Sequence, residues 1–343
     1  MRLGIMSFAH LHAEGFALDL QRAAGVETVG FSDPDRERGR RFAEAFGLRW
    51  FERHEELLAE GLDGVLVCSE NARRRELVEM AAARGTHVLC EKPIETSLED
   101  AKAMRDACDR NGVRFMTAFP MRFDASIRSA RDALERGDLG QLHAVNGINH
   151  SEIPAHHRAW FVDPELAGGG AVMDHTVHLT DLIRWYTGSE VTEVYAEIGN
   201  PFRPGAVEVE TAGLVTLGLA NGVFASIDCS WSRPPSYPRW GHLKMELVGE
   251  RGVLSVDAFA QALTAYSGGG SGNGAGTGAR NPEWLNWGGD PNQAMIDEFV
   301  ASIREDREPL VGWRDGFESL RVALACYESA ERREPVALEP TPT

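Results

Sequence analysis

Short apolar runs alternate with helix-length amphipathic segments over the first 120 or so residues of this 343-residue chain. That alternation limits the fold more than any other feature. Leu3, Ile5, Met6 and Phe8 mark a strand within Arg2–Phe8, and a helical pattern follows from Ala13 to Ala24. Val26–Phe31, Gly64–Cys68, His87–Cys90 and Arg114–Thr117 repeat the strand signal. Helical patterns over 36–46, 55–60, 73–84 and 98–111 separate them, with Gly47 and Gly85 as stops. Strands with almost no polar alternation are buried on both faces. Crossovers of this length join parallel neighbours, so the segment predicts a doubly wound parallel sheet.

After residue 122 the pattern changes. A helix is expected over 125–136 and a strand over 142–149, then a helix through Leu182, Ile183, Trp185 and Tyr186 that stops at Gly188. Longer alternating segments cover 191–198, 208–219, 222–230, 243–249 and 252–257, with turn residues such as Asn221-Gly222 between them. They predict an open, largely antiparallel sheet. Helices over 292–304 and 313–332 close the chain. The expected division is 1–122 and 123–343. Residues 268–278, a Gly-rich run with no Lys-Ser/Thr behind it, are expected to form a flexible surface loop and not a phosphate cradle.

The net charge of −17 disfavours nucleic acid and anionic membranes as partners. No apolar run has the length of a membrane span. Five scattered cysteines show no metal spacing, which suits reduced thiols in a cytoplasmic protein.

Ligands of such sheets sit at the carboxyl ends of the strands. The first turn there reads Met6-Ser7-Phe8-Ala9-His10-Leu11-His12, with Ser7, Ala9 and His12 where a dinucleotide fingerprint has glycines. Position survives even though the motif does not: strand, short turn, helix N-terminus. Asp33 follows His12 by 21 residues at the end of the second strand. An acid there can hold a ribose diol and repel a 2′-phosphate, favouring NAD over NADP, although Asp33-Pro34 is also a good helix start. Cys90-Glu91-Lys92-Pro93 reaches the same edge, where a lysine can stabilise a developing oxyanion. Downstream, Gly168-Gly169-Gly170 precedes a helix on which Asp174 and His178, four apart, share a face. An acid beside an imidazole suits proton transfer. A metal reading of Asp174, His175, His178 and Asp181, with His156 and His157, is disfavoured because His175 projects about 100° from Asp174 on a helix. No metal is expected.

In combination, Glu91-Lys92-Pro93, the three glycines with Asp174 and His178, Trp160-Phe161-Val162-Asp163-Pro164 and Leu254-Ser255-Val256-Asp257 resemble the Gfo/Idh/MocA oxidoreductases, from residue 1 to about 335. The resemblance implies an N-terminal Rossmann domain, a C-terminal α/β domain, and hydride transfer between NAD(P) and a carbinol carbon of a sugar, inositol or related polyol. It implies Lys92, Asp174 and His178 as the catalytic set, His178 being the general acid/base. Glu91 then seats the nicotinamide ribose. Ser7, Phe8, Ala9, His10, Asp33, Ser69, Asn71, Arg74 and Lys92 complete the cofactor side, with Arg74 offsetting the weaker hold of the altered turn on phosphate. His157 and Trp160 are expected to line a polyol pocket, Trp160 as its aromatic wall. The Pro- and aromatic-rich segment 231–240 covers either the site or a subunit contact. The exposed sheet face predicts a homodimer or homotetramer. Two rival classes remain: a lyase or glycosidase using NAD for transient oxidation, and a non-catalytic dinucleotide-responsive binding protein.

Overall fold

The computed structural model describes residues 1–237, 241–260, 263–265, 283–285 and 289–339. The Gly-rich run 268–278 and the end of the 231–240 segment lie outside them. Six parallel strands form the first sheet: β1 (Arg2–Met6), β2 (Glu27–Ser32), β3 (Trp50–Phe51), β4 (Gly64–Val67), β5 (His87–Glu91) and β6 (Phe115–Ala118). Their order is β3-β2-β1-β4-β5-β6, which reverses between β1 and β4. That reversal is the switch point where such sheets open a ligand crevice. Residues 3–6 of β1 and 64–67 of β4 are all buried, which is why these runs read as apolar on both faces.

The second sheet holds β7 (Leu142–Ser151), β8 (Val191–Gly199), β9 (Ala212–Leu219), β10 (Phe224–Asp228), β11 (Gly241–Gly249) and β12 (Gly252–Asp257). A short pair, β13 (Leu263–Ala265) and β14 (Glu283–Leu285), stands apart, and β15 (Val336–Ala337) adds to β8 at the far edge of the second sheet. The order is β12-β11-β7-β10-β9-β8-β15, all antiparallel except β7 beside β10. One parallel pair makes the sheet mixed. It arises because the helix Ala171–Thr187 and the β8–β9 hairpin lie between the two strands in sequence.

That helix, called the central helix below, packs Val172, Leu179, Leu182 and Ile183 into the inner face of the second sheet. A Cβ on Gly147 of β7 would come 2.9 Å from the Leu179 side chain, so a glycine strand position lets the helix sit close. Two more of its buried residues, Met173 and Val177, join the core of the first sheet. The helix therefore wedges between the layers and carries its polar residues to their junction. Met295, Ile296, Phe299 and Val300 of the helix Pro291–Arg304 also pack in the first core. So does Phe317 of the helix Trp313–Arg332. The first core thus draws on residues far beyond 122.

Candidate active site

The glycines before the central helix make room for its cap. Gly168 and Gly169 have φ of 75° and 152°. A Cβ on Gly169 would stand 1.9 Å from the Tyr327 hydroxyl, and one on Gly170 would stand 2.1 Å from the Glu210 carbonyl. Glu210 caps the helix: its carboxylate accepts from Gly170 N and Val172 N at 2.9 Å and from the Tyr327 hydroxyl at 2.8 Å. The Tyr327 oxygen in turn accepts from Met173 N. Burial pushes the Glu210 carboxyl up from its ordinary value, against these bonds. Asp174 is therefore not the helix cap. It sits one turn in, with its side chain directed at the first sheet.

There it meets Lys92, delivered by the carboxyl end of β5. Lys92 Nζ lies 2.7 Å from Asp174 Oδ1 and 3.2 Å from its backbone oxygen. The other carboxylate oxygen accepts from Trp231 Nε1 at 3.1 Å and stands 3.3 Å from His175 Nε2. Burial opposes ionisation of Asp174, but Lys92 and then His175 overcome it and hold the carboxyl below the usual range. The position of His175 corrects the helical-wheel argument. The ring does not turn away from Asp174, because its long side chain folds back and also reaches Ser151 Oγ at 3.2 Å. Burial lowers His175 to about 4.

His178 lies one turn further along. Burial, then the charge of Lys92, holds its pKa well below the usual value, so the ring is neutral at neutral pH. Its Nδ1 is buried without a partner, and its ring stands edge-on to Phe119. Asp181, one turn beyond, is bonded to Arg122 at 2.6 and 2.8 Å and takes no part in the site.

Lys92, Asp174, His175 and His178 line a cavity of about 620 Å³ between the two layers. His10, Leu11 and His12 close it from the first turn, and Asn149, His150 and Ser151 from the end of β7. His157 and Phe161 lie on one side, and Pro120, Met121 and Leu243 give an apolar wall. Trp160 is not that wall. It is buried, its Nε1 donates to the Ala9 carbonyl at 3.0 Å, and it stacks on Phe161, which faces the cavity in its place.

The cofactor-side residues divide. Ser7 adopts φ of 72°, the left-handed conformation a glycine would supply, and its Oγ accepts from Ala9 N. The Phe8 ring packs on Phe31 and Phe42 in the core, and Phe8 N donates to Asp33. His10 N donates to the Cys68 carbonyl, and His12 N to His10 Nδ1. These N–H groups of the turn are thus engaged within the protein. Asp33 is buried and paired with Arg38. Ser69 Oγ donates to the Glu70 carbonyl and Asn71 Nδ2 to the Ala167 carbonyl. Arg74 does not face a phosphate: it is fully buried, donating to the carbonyls of Pro93 and Ser69.

Glu91 and His12 stand beside Lys92 at the edge of the cavity. Glu91 Oε1 lies 2.7 Å from His12 Nδ1, and its Oε2 accepts from Lys92 N. Burial disfavours the Glu91 charge, but His12 and Lys92 keep it ionised. Among the described residues, His10, His12 and Glu91 bring three potential metal-ligand atoms within 4.8 Å, as do Glu152, His156 and His157. In the first group His10 Nδ1 accepts from His12 N, and His12 Nδ1 is bonded to Glu91 Oε1. Sequence reasoning missed Glu210, Tyr327 and Arg38, and placed Trp231 only within a segment that covers either the site or a subunit contact. Glu210 reaches the site from the loop before β9 and Tyr327 from the helix Trp313–Arg332, both far off in sequence. Arg38 reads as one more solvated charge on a charged helix.

Known proteins show the same plan. Residues 4–119 match the family model for the oxidoreductase family with an NAD-binding Rossmann fold, and residues 127–255 match the GFO/IDH/MocA C-terminal domain. The chain is 26% identical to the myo-inositol 2-dehydrogenase of Thermotoga maritima, over 99% of each sequence. It is 28% identical to the D-apiose dehydrogenase of Paraburkholderia graminis, over 98% of this chain and 88% of that protein. The crystal structure of a probable dehydrogenase from Thermotoga maritima superposes with a TM-score of 0.81 at 25% identity, covering 98% of both chains. With its Rossmann sheet, its mixed C-terminal sheet and matches across both, the chain belongs to the GFO/IDH/MocA family of NAD-binding oxidoreductases.

Proposed function

We propose that the chain transfers a hydride between NAD and a carbinol carbon of a sugar, inositol or related polyol. The observation that carries this reading is the Lys92–Asp174 pair sharing one cavity with a neutral His178. Bound nicotinamide supplies the hydride acceptor. The chain's own residues handle the oxygen and the proton. Lys92, held by Asp174, donates a hydrogen bond to the substrate oxygen and stabilises it as negative charge develops. His178, kept uncharged by burial, accepts the hydroxyl proton; in the reverse direction it returns it. Glu91 and His12 take the nicotinamide ribose. Asn149, Ser151 and His157 offer partners for further hydroxyls, and Phe161 and Leu243 an apolar face for the ring carbons.

The test is reduction of NAD during a screen of inositols and aldoses, with Lys92→Ala as the control. Turnover with a polyol that disappears in Lys92→Ala supports the reading. Release of a leaving group without net NAD reduction would overturn it.

The outer face of the second sheet carries Leu214, Phe224 and Val253, each about 60% exposed, next to rows of polar side chains. Such a face suits a homodimer or homotetramer. All five cysteines are free and buried, which suits a reducing, cytoplasmic setting.

A further inference from the structure

The acid expected to read the ribose is covered by a cation. Asp33 Oδ2 accepts from Phe8 N at 2.8 Å and from Arg38 Nε at 2.8 Å. Its Oδ1 accepts from Asp35 N and from Arg38 Nη2, both at 2.9 Å. The carboxylate is bound two-pronged by the guanidinium and has no exposed surface, whereas the Arg38 side chain is 19% exposed. The group presented at the end of β2 is therefore the guanidinium and not the acid. Arg38 lies on the first turns of the helix Arg36–Phe46, whose cap Asp35 fixes it by accepting from Arg38 N at 3.0 Å. The other charges it meets are Asp35, 3.8 Å away, and Glu70.

An uncovered carboxylate discriminates between dinucleotides twice: it accepts from the ribose hydroxyls and repels a 2′-phosphate. Arg38 removes both effects. Its charge cancels that of Asp33, and with Nε and Nη2 bonded to Asp33 its remaining Nη1, 3.8 Å from Asp35, can donate to a phosphate. We propose that Arg38 sets the dinucleotide specificity of this chain, by screening Asp33 so that NADP is accepted alongside NAD. The proposal rests on the dinucleotide lying at this edge of the sheet, as the proposed function requires.

The experiment is direct binding of NADH and NADPH by calorimetry or fluorescence, on the full chain without substrate. Wild type is expected to bind the two within about tenfold of each other. Arg38→Ala uncovers Asp33 and is expected to weaken NADPH at least tenfold relative to NADH. Asp33→Asn added to Arg38→Ala should restore the wild-type ratio. Arg38→Lys keeps the charge and should keep NADPH binding, which guards against misfolding of the alanine variant. NADPH bound a hundredfold more weakly than NADH by wild type, or a ratio unmoved by Arg38→Ala, overturns the proposal and leaves the dehydrogenase reading standing. Binding of neither dinucleotide overturns both.

Discussion

Lys92 Nζ and Asp174 Oδ1 meet at 2.7 Å although they are 82 residues apart and belong to different sheets' layers. The Lys92 side chain is 5% exposed and that of Asp174 16%, so the pair is largely desolvated. Removing one partner of such a pair strands the other charge. Lys92→Ala should cost about 3–5 kcal/mol of stability, read by urea unfolding. It should also lower kcat by about 100- to 1,000-fold, the usual effect of deleting one oxyanion donor. Asp174→Asn should lower kcat less, because Lys92 stays but loses its anchor. Stability lost in both variants with kcat unchanged would separate the pair from catalysis.

Gly169 tests the cap of the central helix. Its φ is 152°, and a Cβ there would meet the Tyr327 hydroxyl at 1.9 Å, which leaves no room for alanine. Gly169→Ala should destabilise the chain by about 1–3 kcal/mol, the range for overpacking. Tyr327→Ala is itself destabilising, but combined with Gly169→Ala it should cost less than the sum of the two single losses, since it removes the atom met. An additive double variant would show that backbone strain, not the hydroxyl, sets the cost.

Much of the fold is legible in the sequence because burial imposes period on it. The helices Arg36–Phe46, Leu98–Asn111 and Trp313–Arg332 have the boundaries their patterns predict. Two-residue strands such as β3 and β15 leave no period to read, and the parallel pairing of β7 with β10 is decided by distant layers. At the site, the turn after β1 and the segment after β5 predict their place at one edge. What each side chain does there is set by partners the sequence does not place. Trp160 is drawn to the Ala9 carbonyl, Arg74 to the carbonyls of Pro93 and Ser69, and Asp33 to Arg38. All three are buried polar groups, and each takes the nearest partner the fold supplies.

The exchange of Trp160 for Phe161 as cavity wall gives a clear kinetic contrast. Phe161→Ala opens the cavity and should raise KM for the polyol severalfold. Trp160→Phe keeps the stacked ring but removes one of the two donors to the Ala9 carbonyl, Arg158 Nε being the other, costing about 1 kcal/mol of stability. Its effect should fall on dinucleotide affinity, through the turn, with KM for the polyol unchanged. A larger KM change in Trp160→Phe than in Phe161→Ala would return Trp160 to the substrate side.

The buried histidines set the response to acid. In the folded chain His175 titrates at about 4, against 6.5 ordinarily. Between those values the unfolded chain holds a proton that the folded chain refuses, so stability is full above about pH 6.5 and falls as the pH drops towards 4. The loss is about 3 kcal/mol from this ring, at 1.36 kcal/mol per unit. His178, also held down by burial, acts in the same direction. Asp174 has the opposite origin: its carboxyl is held low, so its contribution is intact above its ordinary 3.8 and is lost only below that. Urea unfolding at pH 7 and pH 5 should show the decline, and His175→Gln should flatten it. The same burial shifts the rate profile. With His178 neutral well below its ordinary value, kcat/KM for polyol oxidation should show no ionisation of the free enzyme near pH 6.5, and its acid limb should lie at lower pH. A single inflection near 6.5 that vanishes in His178→Gln would mean that the ring is solvated in the working enzyme and that burial does not tune it.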